Sequence, residues 1–234
     1  MEDRRVLERH DGDLEEHVAR IASEFLAGFE AVEQIGRPGV TIFGSARVGV
    51  EHPAYRLALE AGRLFAEAGF AVVTGGGPGV MEAANRGAQE AGGVSVGFNI
   101  ELPREQRSND FLDVELTFNH LYARKTMLVK AAEGFVLCPG GFGTLDELFE
   151  ALTLIQTGKV LHFPVVLVGR EYWRGLLEWI EERPVAEGMI SPEDEELLFV
   201  TDEPAEAVRI VLDCYERRCA ETAIPAEPAK ADAE

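Results

Sequence analysis

The sequence predicts an α/β fold built on a single doubly wound parallel sheet with helices on both faces. Three observations predict it. Short apolar runs rich in Val, Ile and Phe alternate with stretches of helical periodicity along most of the chain, the rhythm of βαβ units. Several of the runs end in glycine-rich turns that lead into a helix, at Phe43–Arg47, Gly75–Glu82 and Pro139–Glu147. The 234 residues, 46% of them hydrophobic, suit one such domain with a full core. The expected architecture is therefore Rossmann-like.

The elements follow in order. Residues 14–35 carry Val18, Ile21, Phe25, Phe29 and Val32 on one side of a helix, which makes residues 1–37 a helical extension ahead of the sheet. The sheet domain is expected over 38–220. Val40–Phe43 reads as a strand, followed by a helix at about 53–68. Phe70–Thr74 is a strand, followed by a helix at about 78–91, with Pro78 suited to its first turn. Val94–Ile100 is a strand and 101–113 an irregular polar loop. Val114–Phe118 is a strand, with a helix over 120–132 and Asn119 as its N-cap. Gly134–Cys138 is an apolar run fit for a buried strand, and Leu145, Leu148, Phe149, Leu152 and Ile155 form the stripe of a helix ending near 157. Pro164–Val168, a helix over 171–182, Phe199–Thr201 and a helix over 203–219 complete the sheet. Residues 221–234, rich in Ala, Glu and Pro, read as a disordered tail.

The net charge of −20 argues against a nucleic-acid surface, which needs basic patches, and against docking on anionic membranes. No apolar run approaches the roughly 20 residues of a membrane helix, and the charged start MEDRRVLERHDGD lacks a signal-peptide core. The expectation is a cytoplasmic protein. Cys138, Cys214 and Cys219 form no CxxC pair, and His52, His120 and His162 show no metal-ligand spacing, so neither a metal nor another cofactor is expected. Cys138 reads as a small core residue.

The glycine turns carry the chemistry. A Gly-rich turn at a helix N-terminus offers free N–H groups and the positive end of the macrodipole to an anion. The GGGPGV turn from Gly75 fails the GxGxxG dinucleotide pattern, and the next strand ends Gly97-Phe98-Asn99 with no acidic residue for a ribose. No Walker pattern is present. The turn PGGFGTLDE at 139–147 differs from a plain phosphate loop in ending on a carboxylate, Glu147. Two readings of Glu147 stand side by side: Thr144-x-x-Glu147 fits a capping box, and a carboxylate beside an anion site can do chemistry. On a helical wheel it points away from Leu148 and Leu152, so it is not expected in the core. Arg124 and Lys125 lie within or beside the apolar arc of the 120–132 helix, where two cations need partners. They read either as structural ion pairs or as an anion clamp at the sheet edge.

Together these segments resemble the Lonely Guy (LOG) family of cytokinin riboside 5′-monophosphate phosphoribohydrolases. Residues 139–147 match the family's PGGxGTxxE at every fixed position, Arg124-Lys125 match its Arg-Lys pair, and Gly75–Met81, GGGPGVM, resemble its GGGxxGxM turn with one residue fewer before the last glycine. The resemblance covers about residues 38–212. Tyr122 stands where plant members usually carry His, and FGSAR, NIELPREQ and the N-terminal helix are similar to the longer bacterial branch.

The resemblance implies hydrolysis of the N-glycosidic bond of AMP or an N6-modified AMP, releasing free base and ribose 5-phosphate. It implies that Arg124 and Glu147 are catalytic. Gly140, Gly141, Phe142, Gly143 and Thr144 would hold the 5′-phosphate, with Asp146 and Lys125 nearby. Glu105 and Thr153 would contact substrate, and Ser45, Gly76 and Gly77 would line the pocket. It also implies a homodimer, or a higher oligomer of dimers, with the pocket near the interface. An older family label, lysine decarboxylase, finds no support, since no lysine motif argues for a Schiff base. The alternative is a non-catalytic carrier of a nucleotide or of molybdenum cofactor on the same fold.

Overall fold

The computed structural model describes residues 14–102, 107–160 and 163–222. A seven-stranded sheet, parallel throughout, runs through the middle. Its strands are β1 (Gly39–Phe43), β2 (Ala71–Thr74), β3 (Ser95–Ile100), β4 (Val114–Phe118), β5 (Phe135–Leu137), β6 (Val165–Val168) and β7 (Leu198–Thr201). The order is β4-β3-β2-β1-β5-β6-β7. The chain winds outward from β1 to β4, returns to the centre at β5, and winds outward the other way. The switch point thus lies between β1 and β5, where the connections leave in opposite directions and open a crevice at the carboxyl ends of the strands.

Helices cover both faces: α1 (Leu14–Ile35), α2 (Pro53–Glu67), α3 (Val80–Glu90), α4 (Leu121–Lys130), α5 (Phe142–Gln156), α6 (Arg170–Ile180) and α7 (Pro204–Thr222). On one face α2, α3 and α7 pack on Val40, Ile42, Val72, Val136 and Val166. The α2–α3 contact is close because glycines make it so. A Cβ on Gly62 would sit 2.1 Å from Ala84 O, and one on Gly87 2.0 Å from Leu59 O, so any larger residue would prise the helices apart. On the other face α1, α4, α5 and α6 pack on Val73, Val96, Phe135 and Leu167. Here Phe43 and Phe163 each meet Phe135 edge to face at 4.8 Å, a geometry that adds to the burial of their area.

The elements fall where the periodicity puts them, within a few residues at each end. The described parts of 101–113 hold no helix or strand. α1 buries Ile35 and partly covers Phe25 and Val32 against the second core, while Val18 stays exposed and Phe29 rests at the surface beneath Lys130 Nζ. Two details differ from expectation. The helix after β6 does not stop cleanly near 182: it passes into a π-helical turn, Glu181–Val185. Pro184 lies in that turn and has no N–H to give to the i−4 carbonyl. Asn119 is not the cap of α4. The N-cap is His120, without a side-chain cap bond, and Glu24 of α1 takes over: its carboxylate accepts the backbone N–H of Asn119 at 3.2 Å and of His120 at 3.1 Å, and Asn119 Nδ2 at 2.9 Å. The N-terminal extension therefore anchors the start of α4. α7 runs two residues past the expected boundary at 220, and the expected tail from 223 onward lies outside the described residues.

Candidate active site

A cleft of about 780 Å³ opens at the switch point. The ends of β1, β2 and β3, the first turns of α4, α5 and α6, and the 140–147 segment surround it.

The segment 139–147 folds as the glycines dictate. A Cβ on Gly140 would fall 2.0 Å from Thr144 Oγ1, so the turn closes only with glycine there. Gly141 is the N-cap, without a side-chain cap bond, and α5 starts at Phe142. The N–H groups of Thr144 and Leu145 turn back onto Gly141 O at 3.0 and 3.1 Å. Those of Phe142 and Gly143 form no bond among the described residues and stand free at the helix start, with no acidic residue in the first turn. Such a helix end has the free N–H groups and dipole that suit an anion. Phe142 itself is 92% exposed at the rim.

This start position removes the capping-box reading of Glu147. Thr144 is the third helical residue rather than the N-cap, so Thr144 and Glu147 do not form a capping box. Glu147 sits in the second turn, beneath the anion end. It is 4% exposed, yet outside both apolar cores, as the wheel implied: the cleft floor buries it. Its Oε2 has no hydrogen-bond partner among the described residues. Burial pushes its carboxyl up to about 7, with Lys125 and Arg124 opposing the rise and Glu150 and Asp146 adding to it.

Arg124, one turn into α4, shares this floor. Its Nε also lacks a hydrogen-bond partner among the described residues. Burial holds its pKa below the ordinary arginine value, against the opposing charge of Glu147. The two feel each other's charge without closing an ion pair. Glycine again makes the room: a Cβ on Gly75 would lie 2.7 Å from Arg124 Nη2 and 2.9 Å from Met81 Sδ. A buried cation and a buried carboxylate, both with unmet hydrogen-bonding capacity, are costly for a fold to keep.

Lys125 has the bland role. Its ammonium, on a side chain 15% exposed, donates to Asp146 Oδ2 and forms an ion pair with Glu150 Oε2, each at 2.8 Å. It does not line the cleft; it ties α4 to α5 and so sets Arg124 against Glu147. Asp146 lines the cleft while held by Lys125.

Ser45 lines the cleft as expected and knots three elements together. Its N–H donates to Pro139 O, its carbonyl accepts from Val80, and its Oγ accepts from the Arg47 N–H. Gly76 and Gly77 do not line it. Their carbonyls accept from Asn109, through its N–H and its Nδ2 respectively, which folds the turn away from the opening and leaves only Gly75 at the wall. Thr153 is not in the cleft either. Six residues beyond Glu147 is about 240° around a helix, and Thr153 faces a separate apolar groove of about 810 Å³ between α5 and α6, lined by Phe149, Leu177 and Trp179 among others. That groove is slightly larger but has no buried cation–carboxylate pair. Glu105 lies outside the described residues.

The structure adds residues that sequence reasoning did not name as site residues. Tyr172, in the first turn of α6, lines the cleft and donates its hydroxyl proton to Gly140 O, drawing that carbonyl away from the anion end. Arg47 and Asn99 line it from the ends of β1 and β3. The available signal was position: Arg47 and Tyr172 follow the carboxyl ends of β1 and β6, and Asn99 is the penultimate residue of β3.

The fold and this cleft define a doubly wound α/β protein with a helix end of free N–H groups set over a buried carboxylate. Comparison with known proteins narrows the class. Residues 81–211 match the family model described as "Possible lysine decarboxylase", and the chain belongs to that family, the LOG family. The cytokinin riboside 5′-monophosphate phosphoribohydrolase of Mycobacterium tuberculosis is 33% identical over 157 residues, covering 65% of this chain and 82% of the relative. The protein of the same name from Rhodococcoides fascians is 32% identical over 158 residues, covering 65% and 78%. Among solved structures, the Moco carrier protein of Chlamydomonas reinhardtii superimposes with a TM-score of 0.57 at 25% identity, over 77% of this chain and 98% of that one.

Proposed function

We propose that this protein hydrolyses the N-glycosidic bond of AMP or of an N6-modified AMP, releasing the free base and ribose 5-phosphate. One observation carries the reading: Glu147 and Arg124 are buried in the cleft floor with unmet hydrogen-bonding capacity, directly below a helix end that presents free N–H groups. The 5′-phosphate sits on the N–H groups of Phe142 and Gly143. The ribose then reaches down to Glu147. As the C1′–N9 bond breaks, positive charge builds on the ribose, as in glycoside hydrolysis, and the Glu147 carboxylate stabilises it. A water oxygen bonds C1′ and gives its proton to Glu147; the departing base takes up a proton on a ring nitrogen. Arg124 fixes the nucleotide and balances the carboxylate. The names of the two bacterial relatives support the same reaction.

Incubation with AMP followed by chromatography tests this. Adenine and ribose 5-phosphate should appear in equal amounts with wild type, and their rate of release should fall about 10²–10⁴-fold with folded Glu147→Gln. Full activity in Glu147→Gln would sink the mechanism.

The likeness to the Moco carrier favours a second reading, a binding protein without turnover. A carrier has no need of a carboxylate at the scissile bond, and keeping one ionised in the cleft floor costs stability.

The protein is also proposed to assemble as a homodimer or higher homo-oligomer. The groove beside α5 and the exposed Phe142, Phe149 and Trp179 offer the apolar area for it. Light scattering after size exclusion would show the mass of the monomer if this is wrong.

A further inference from the structure

The cleft extends beyond the catalytic floor to the end of β3, where Asn99 meets it. The Asn99 amide lies against Gly76, whose φ is +69° and whose missing Cβ would fall 2.5 Å from both amide heteroatoms. Its orientation is set by its neighbours. Nδ2 donates to Glu115 Oε1 at 3.2 Å and to Ser108 Oγ at 3.0 Å. A carboxylate only accepts, and the Ser108 hydroxyl spends its proton on the same Glu115 oxygen, so it too presents a lone pair to Asn99. Both amide protons are therefore committed. Oδ1 forms no hydrogen bond among the described residues and is left as an acceptor on a residue that lines the cleft.

We infer that Asn99 is a specificity-determining residue that selects purines carrying an amino group at position 6, by accepting an N–H from that group. The inference rests on the phosphoribohydrolase reading, which puts phosphate at the start of α5 and C1′ near Glu147. From β5 to β3 is three strand spacings, roughly 14 Å, a span an extended nucleoside monophosphate can bridge. Met81, Ile100, Leu102 and Leu121 border this far end and suit the faces of a purine. Adenine and its N6-monoalkyl derivatives present an N–H to Oδ1. Hypoxanthine and guanine present a carbonyl oxygen there, and two acceptors face to face repel. Glu115 and Ser108 are the positioning residues that keep the amide from flipping.

The test measures kcat/KM for AMP, IMP and purine riboside 5′-monophosphate, which lacks any 6-substituent, in wild type, Asn99→Ala and Glu115→Gln. Differences in leaving-group reactivity between the bases cancel when each ratio is compared with its wild-type value. In Asn99→Ala the AMP/IMP and AMP/purine-riboside-monophosphate ratios should each fall about tenfold, the worth of one hydrogen bond made or missed in a closed site. In Glu115→Gln the new amide can donate as well as accept, so Asn99 is free to turn. The AMP/IMP ratio should fall there too, even if Asn99→Ala does not fold. A merely structural role would slow all three substrates alike, and unchanged ratios in the folded variants overturn the inference while leaving the reaction standing. No base released from any of the three by wild type overturns the reaction and this inference with it.

Discussion

Replacing Glu147 by glutamine should separate fold from catalysis in one variant. The carboxyl is held at about 7 against an ordinary value of 4.5, first by burial. Ionising it in the fold therefore costs on the order of 3 kcal/mol. Because the folded-state pKa lies above the unfolded one, the native state holds more protons between the two values. Wild-type stability should accordingly fall as pH rises from about 4.5 to about 7 and level off above that. Glutamine has nearly the same shape and never ionises, so this part of the pH dependence should vanish. The assay is urea unfolding of wild type and Glu147→Gln at pH 5 and pH 8. The quantity of interest is the difference between the two pH effects, in which every other titrating group cancels. It should approach 3 kcal/mol, with the variant relatively more stable at pH 8. Turnover should meanwhile drop by about 10²–10⁴-fold. Equal pH effects in the two proteins would refute the burial argument, and a variant destabilised at both pH values with turnover intact would restore the role of a cap.

Since the ionised carboxylate is the reactive form, kcat/KM for AMP should rise with pH through a limb near 7, the value at which Glu147 is held, and the limb should be absent from the residual rate of Glu147→Gln. Gly75→Ala places a methyl group 2.7 Å from Arg124 Nη2; the guanidinium must shift, and kcat should fall by roughly 10²-fold for a displacement of about 1 Å while circular dichroism stays unchanged. Tyr172→Phe releases the Gly140 carbonyl, and KM for AMP should rise about tenfold for the loss of one hydrogen bond at the anion end, with kcat nearly unchanged.

Most of the fold was legible because its signals are local. The apolar runs at 40–43, 70–74 and 134–138 can be little else than buried parallel strands, and the helices between them carry clear stripes. Where reading failed, the deciding partner lay far along the chain or glycine hid the register. Asn119 looked like a cap, but the capping carboxylate is Glu24, 95 residues away. Glu147 matched a capping box because nothing in Gly-Gly-Phe-Gly-Thr marks which residue begins α5. The helix starts at Phe142, and that shift of register turns a supposed cap into the cleft floor. Gly76 and Gly77 read as pocket lining, yet a hydrogen-bonded contact with Asn109 folds them away. Arg124 and Lys125 were equivalent in sequence, and only the carboxylates of Asp146 and Glu150 show which one is satisfied. Tyr172 and Asn99 act through tertiary contacts that a strand-end position hints at but does not specify.

The buried Glu147 and Arg124 would make this protein a catalyst and not a carrier. The most direct measurement is the fate of AMP supplied in large excess over protein, followed by chromatography over time. Adenine and ribose 5-phosphate should accumulate together to many equivalents per protein chain, at a rate about 10²–10⁴-fold lower in Glu147→Gln. AMP bound in stoichiometric amount and recovered intact from wild type would contradict it.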